Sequence, residues 1–353
     1  MKILVVSDFH ADMYKQYAKP VEGKPWNSRF QNQLDTLNKV FGIAEKENAV
    51  VVFNGDLYNQ RKQIDQVVFN EITKAIATGS RLLKQPIYVL VGNHDQYDNS
   101  PKPASSVEYL ETVNPNIHVI NSVESVSINS KDNTDLIFMP YSEDTDMILK
   151  GLDDVVASLP DKDNAYLFAH IGVSGSKQGR WNHKLGGAFN LDELHPKRFS
   201  QIVLGHYHLR QELTDNVYYV GNTVPLNHND DSQSKGVVLI DTEDNSHKFI
   251  EMDNPKFYTV DLAVDKMTPE ELQELSAKNF VKVIAHSKDE LEQLSEDKED
   301  SMTLAYVAET TDESRLGVSA EASEKEIVAA YTDKYHPNVK NLALEELNKV
   351  GEA

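Results

Sequence analysis

Cysteine is absent from the 353 residues. That removes disulfides, thiolate zinc sites and a cysteine nucleophile from consideration, and it fits a reducing compartment. Long apolar runs are absent too. Nothing approaches the roughly 20 consecutive apolar residues of a membrane span. The opening Met1-Lys2-Ile3-Leu4-Val5-Val6-Ser7-Asp8 is apolar only briefly and ends on an acid. It lacks the longer apolar stretch and small-residue cleavage site of a secretory leader. The expectation is a soluble chain in the cytoplasm with no membrane contact. Basic residues are scarce: 35 Lys and Arg face 56 Asp and Glu, for a formal net charge of −21. Phosphate contacts need Lys and Arg, so this balance disfavours a nucleic-acid partner. The deficit shrinks where acids hold cations, whose charge offsets theirs, and many of the acids lie in the C-terminal third.

What is present is ordinary globular material. Hydrophobic residues make up 40% and charged residues 26%, enough to build a core. The length accommodates one α/β domain of roughly 250 residues and something smaller. Apolar runs predict strands at 3–7, 50–53, 87–91, 135–139, 165–169 and 201–204. Leu34, Leu37, Phe41 and Ala44 fall at helical spacing within 30–46, and a second helix is expected at 67–77. Strands at 217–220, 236–241 and 247–252 then follow without helices between them. A pattern that begins as βαβ and finishes as a meander predicts an α/β fold of layered α+β type: a two-sheet sandwich flanked by helices.

A boundary is expected at Asn254-Pro255. Beyond it, strands at 257–262, 280–285 and 303–307 with helices at 269–277 and 288–294 describe a small α+β domain, with Ser287 as an N-cap. An acidic loop at 295–301 and a polar linker at 309–321 follow, then terminal helices at 323–333 and 338–350. The expected division is 1–254, 255–310 and 311–353.

Five polar motifs close predicted strands: Asp8-Phe9-His10, Gly55-Asp56-Leu57, Gly92-Asn93-His94-Asp95, the single His170, and Gly205-His206-Tyr207-His208. Ligands of α/β sheets bind outside the carboxyl ends of strands, so all five can converge. Hydrolysis of a phosphate ester needs a nucleophile at neutral pH and neutralisation of the transferring group. Two divalent ions roughly 3.5–4 Å apart supply both. A mixed oxygen and imidazole set suits manganese, iron or zinc better than calcium, and Mn2+ is the expected ion. The glycines before Asp56, Asn93 and His206 are expected to permit sharp turns that aim the next side chain inward. His94 is read as catalytic, protonating the leaving oxygen or stabilising negative charge there, with Asp95 orienting it. Asp12 reads as an exposed loop acid. His183 and His228 sit in polar loops after two motifs and are secondary candidates.

The series D-x-H, G-D, G-N-H-[DE], H, G-H-x-H, complete and in order, resembles the calcineurin-like metallophosphoesterases. That resemblance implies a ligand set. Asp56 bridges two metals, Asp8, His10 and His208 complete one position, and Asn93, His170 and His206 complete the other. The segment Leu57-Tyr58-Asn59-Gln60-Arg61-Lys62-Gln63-Ile64, the His170 and His208 contexts, and the domain after Pro255 are similar to the SbcD branch, whose members are DNA nucleases. One departure is Tyr219-Val220-Gly221-Asn222-Thr223, where that branch often has Y-x-G-S.

The branch implies exonuclease and endonuclease activity in DNA repair and recombination, with 255–310 as a DNA-binding cap. It also implies an SbcC-like coiled-coil ATPase on the terminal helices, and a homodimer within a heterotetramer. Short and acidic, the chain is expected to be phage-encoded and to act in the host cytoplasm. Arg61, Lys62 and Arg210 are candidate DNA-backbone contacts. Two competing readings remain: a stand-alone phosphodiesterase or phosphatase acting on small nucleotides, and a non-catalytic scaffold for the ATPase.

Overall fold

The computed structural model describes residues 1–100, 103–128, 134–160, 164–178, 183–184, 188–296, 301–307, 316–319 and 322–350. In chain order the first half runs β1 (Lys2–Val6), α1 (Ser28–Glu47), β2 (Val50–Asn54), α2 (Gln66–Ser80), β3 (Ile87–Leu90), α3 (Leu110–Val113), β4 (Ile117–Ile120), β5 (Glu124–Ile128), β6 (Thr134–Met139), α4 (Thr145–Ser158) and β7 (Ala165–His170). Then come the short pair β8 (Lys177–Gln178) and β9 (His183–Lys184), followed by β10 (Gln201–Gly205), β11 (Gln211–Thr214), β12 (Val217–Tyr219), β13 (Gly236–Asp241) and β14 (Ser246–Glu251).

These strands form two six-stranded sheets, in the orders β14-β13-β1-β2-β3-β4 and β11-β12-β10-β7-β6-β5. Each sheet is parallel through its middle and antiparallel toward an edge. Side-chain alternation explains the layering. Along β1, Ile3 and Val5 point between the sheets, while Leu4 and Val6 point to the layer of α1 and α2. Along β7, Tyr166 and Phe168 join the inter-sheet layer, and Leu167 and Ala169 pack on the α4 side. Both strands are buried on both faces, which is why they read as unbroken apolar runs.

The helices begin where the sequence chemistry provides a cap. Asn27 accepts from the Phe30 N–H at the start of α1, and Asp65 accepts from Val67 and Val68 at the start of α2. Several elements went unanticipated. In α4, Ile148, Leu152 and Val156 carry a helical repeat that marks its buried face. In β5, half-buried Glu124, Val126 and Ile128 alternate with exposed Ser125 and Ser127. Gln211–Thr214 has almost no apolar content and becomes a strand only through pairing with β12.

Further on lie β15 (Phe257–Asp261), α5 (Leu262–Asp265), α6 (Pro269–Ser276), β16 (Phe280–Ala285), α7 (Lys288–Glu296), β17 (Met302–Tyr306), α8 (Glu324–Tyr335) and α9 (Lys340–Val350). The strands form a three-stranded sheet in the order β15-β16-β17. Most of the expected acidic loop and polar linker falls outside the described residues. The chain divides into two compact units, Met1–Val283 with Asp297–Thr303, and Ile284–Glu296 with Leu304–Ala353. Among the described residues no helix is long and apolar enough to cross a membrane.

The contact between α1 and α2 has no spare volume. A Cβ added at Gly79 would lie 2.2 Å from the Phe41 ring. Gly79→Ala is expected to cost about 1–3 kcal/mol through overpacking, read as a lower urea midpoint with an unchanged slope.

Candidate metal centre

The strand-end motifs meet in one place. Asp8 and His10 follow β1, Asp56 follows β2, Asn93 and His94 follow β3, His170 ends β7, and His206 and His208 follow β10. The first sheet therefore supplies the acids and the amide, and the second supplies three histidines. Asp8, His10, Asp56 and His206 all adopt positive φ, at 49°, 48°, 56° and 93°. Non-glycine residues seldom occupy that region, and such strain concentrates at functional sites.

Two overlapping donor sets are formed. In the first, His10 Nε2 lies 3.0 Å from His208 Nε2, 3.6 Å from Asp56 Oδ2 and 4.0 Å from Asp8 Oδ1. In the second, Asn93 Oδ1 lies 2.9 Å from His206 Nδ1 and 3.2 Å from His170 Nε2. His170 Nε2 is in turn 3.3 Å from Asp56 Oδ2. Asp56 belongs to both sets. Donors spaced this way suit cations with bonds of roughly 2.0–2.2 Å.

Charge supports the same fit. Asp8 and Asp56 are 0% and 1% exposed, yet their ion-pair partners among the described residues are histidines. Buried carboxylates need positive charge nearby. Burial lowers His10 to about 3 and His206 to about 4, which keeps both neutral, the form that binds metal. Burial also works to lower His170, but the Asp56 carboxylate outweighs it and holds that imidazole up at about 10. Proton and cation thus compete for the same nitrogen. His170 Nδ1 donates to the Asn54 carbonyl at 2.7 Å, which turns Nε2 toward the centre, a typical outer contact of a ligating histidine.

The glycines do not all act as expected. Gly55 has φ +89 and makes a true turn. Gly92 and Gly205 are not in that region. They are needed for close approach, because a Cβ on Gly92 would meet Asp56 Oδ1 at 2.2 Å and one on Gly205 would meet the Asn54 carbonyl at 2.5 Å.

His94 stands beside His10 and Asp56, its ring within reach of a cation shared with them, and its backbone N–H donates to Asp56 Oδ1 at 2.8 Å. Its ring is oriented by the Asn59 carbonyl, 2.7 Å from Nδ1, and not by Asp95 as the sequence suggested. Asp95 faces the other way. One of its oxygens accepts from the N–H groups of Asp56 and Gly92, at 2.9 and 3.0 Å, and the other from Leu57 and Tyr58, at 3.0 and 3.3 Å. Burial and the Asp56 charge push Asp95 up to about 7, against the pull of these donors. Its work is to hold the Gly55–Tyr58 turn.

Asp12 is not a free loop acid. It accepts from Asn59 Nδ2 at 2.6 Å, steadying the residue that orients His94. His228 is occupied elsewhere, 2.7 Å from the Tyr17 hydroxyl, and the His183 side chain lies outside the described residues. The three basic candidates are all engaged by the protein. Arg61 donates to the Gln96 carbonyl and to Asn99, Lys62 lies over Tyr97 and Arg210 lies over Phe249.

An α/β sandwich with acids and imidazoles gathered at its strand ends is the architecture of a metal-dependent phosphoester hydrolase. The chain belongs to the calcineurin-like phosphoesterase family, whose profile matches residues 1–210, a span that takes in every motif above. Exonuclease subunit 1 of Enterobacteria phage T4 is 26% identical over 254 residues, covering 71% of this chain and 67% of that protein. Putative phosphoesterase 078R of Invertebrate iridescent virus 3 is 24% identical over 179 residues, or 49% of this chain and 47% of that protein. Among solved structures, a dimetal phosphatase from Danio rerio aligns over 68% of this chain and 91% of its own, at 10% identity and a TM-score of 0.42.

Asp95→Asn tests the turn. Whichever way the amide is placed, its NH2 confronts two backbone N–H donors. We expect a loss of about 3 kcal/mol in urea unfolding, together with weaker binding of manganese by calorimetry.

Proposed function

We propose that this chain is a divalent-metal DNA nuclease, cutting phosphodiester bonds as the nuclease subunit of an SbcCD-type ATPase complex in DNA repair or recombination. The observation that carries the reading is the likeness to phage T4 exonuclease subunit 1, which extends over 254 residues. It also favours a phage source and thus the host cytoplasm.

Asp8, His10, Asp56 and His208 would hold one ion, and Asp56, Asn93, His170 and His206 the other. Two bound divalent ions, Mn2+ in this proposal, supply a nucleophile at neutral pH and neutralise charge on the transferring phosphoryl group. The protein's own part is positioning. His94 Nδ1 is committed to the Asn59 carbonyl, so Nε2 is the nitrogen that can give a proton to the leaving oxygen. Arg61, Lys62 and Arg210 would meet the DNA backbone with the N–H donors that their present contacts leave over.

The domain after Pro255, residues 255–310, is the proposed DNA-binding cap, and residues 311–353 the partner-binding end. On α8, Ile327, Tyr331 and Tyr335 recur every four residues and are 41%, 47% and 50% exposed. This stripe is the proposed seat of the coiled-coil ATPase, in an assembly with two nuclease subunits about a two-fold axis. A stand-alone phosphodiesterase for small nucleotides is the second reading, favoured by the net charge of −21.

The deciding assay is manganese-dependent hydrolysis of labelled linear and circular DNA, with a small nucleotide diester alongside. Wild type is expected to cut DNA. His94→Ala should lower turnover about 10²–10⁴-fold while retaining both ions, and Asp56→Asn should lose activity together with metal. Turnover of the diester alone, with or without an ATPase partner, would select the second reading. An Asp56→Asn protein with full biological activity would revive the scaffold.

A further inference from the structure

His208 is the least enclosed of the histidines in its donor set, its side chain 34% exposed while that of His10 is 2% exposed. Its ring meets that of His10, Nε2 to Nε2 at 3.0 Å, and its main chain is held as well. Lys235 Nζ donates to the His208 carbonyl at 2.8 Å, and the Asn222 N–H reaches the same oxygen at 3.3 Å. Lys235 is 4% exposed. Its other contacts are Asp230 Oδ1 at 2.8 Å and Gln233 Oε1 at 2.7 Å, so all three ammonium donors are used. Asp230, 3% exposed, uses its second oxygen to accept from the Leu226 N–H and Asn222 Nδ2.

A lysine and an aspartate this deeply buried are costly to desolvate, and replacement by apolar residues is often neutral or stabilising. Fold stability is therefore a poor reason for the pair. Its geometry offers a better one, since the ammonium ends on the backbone of a motif histidine. Gly221 belongs to the same device. It has φ +77, and a Cβ there would lie 2.8 Å from the His208 carbonyl oxygen, so the loop is pressed against the His208 turn. The far side of the loop is tied to β15. Ser232 donates to the Phe257 carbonyl, Thr259 donates to Asp231, and the His228 ring lies 4.9 Å from the Phe257 ring.

We propose that Lys235 is a positioning residue for one of the two metal positions, holding His208 through its carbonyl, with Asp230 aligning the ammonium. The proposal rests on the metal-centre reading above. It makes the two positions unequal. The one completed by His208 depends on the segment 221–235 and, through it, on β15. The one completed by Asn93, His170 and His206 receives no hydrogen bond from Lys235 or Asp230 among the described residues.

The test uses the full-length protein and manganese, read by calorimetry and by the electron paramagnetic resonance of the bound ion. The variants are Lys235→Met and the neutral pair Lys235→Met with Asp230→Asn, which leaves no stranded charge if the single change prevents folding. Gly79→Ala, destabilised at a remote point, is the control for general loosening.

Wild type and Gly79→Ala should bind two ions per chain. Both Lys235 variants should keep one ion at wild-type affinity and bind the second about 10–100-fold more weakly. Turnover of a small diester under limiting manganese should fall in parallel, with little change in KM. Two ions at wild-type affinity in the double variant, or equal weakening of both, overturns the proposal. Fewer than two ions in the wild type instead overturns the two-metal reading itself, and the proposal with it.

Discussion

Two carboxylates with almost no solvent contact, Asp8 and Asp56, set the terms for everything around them. Folding brings both acids to the seam between the sheets and provides imidazoles, not lysine or arginine, as their near neighbours. Imidazole answers a carboxylate only partly, because it is charged only when protonated. The rest of the site reads as accommodation of that imbalance. Backbone N–H groups turn inward, the His206 N–H onto Asp8 and the His94 N–H onto Asp56. The chain accepts left-handed conformations at four of the residues concerned. Glycines clear space where strands crowd the acids. A cation would be the natural completion of such a cluster.

Much of this was legible beforehand because motif and strand signals coincide. A buried parallel strand announces itself as an apolar run, and the polar residues just beyond it mark the functional rim. Asp8, Asp56, Asn93, His170 and His206 all stand within three residues of the end of such a run. The layered α/β architecture followed from the change of rhythm along the chain. What remained hidden has a common physical cause. Asp95 was read as the companion of its neighbour His94, yet its four partners are backbone groups, three in the turn after β2 and one, Gly92, in its own turn. Asn59 orients His94 with a carbonyl that every residue possesses. Lys235 reaches His208 across 27 positions of sequence. Main-chain donors and acceptors leave no signature in residue identity, so no spacing rule could have found them. The same holds for β11, a strand by virtue of its neighbour.

The acidic composition also reads differently against the structure. Part of the excess negative charge is not surface charge at all, since Asp8, Asp56, Asp95 and Asp230 are buried. The basic residues nearest the centre are used to brace loops: Arg61 ties the segment after β2 to that after β3, and Lys235 is internal.

The division of the donor set between sheets has a kinetic corollary. Asp8 and His206, in direct hydrogen-bond contact, are separated by 198 positions. Their encounter requires both sheets to be built and docked, which places it among the slow, non-local events of folding. The chain therefore has no preformed chelate to offer during early collapse. A cation held by donors of both sheets would link one sheet to the other. Because such an ion binds the folded state and not the unfolded one, it would raise stability with its concentration. The donors contributed by the two sheets come together only when the sheets do.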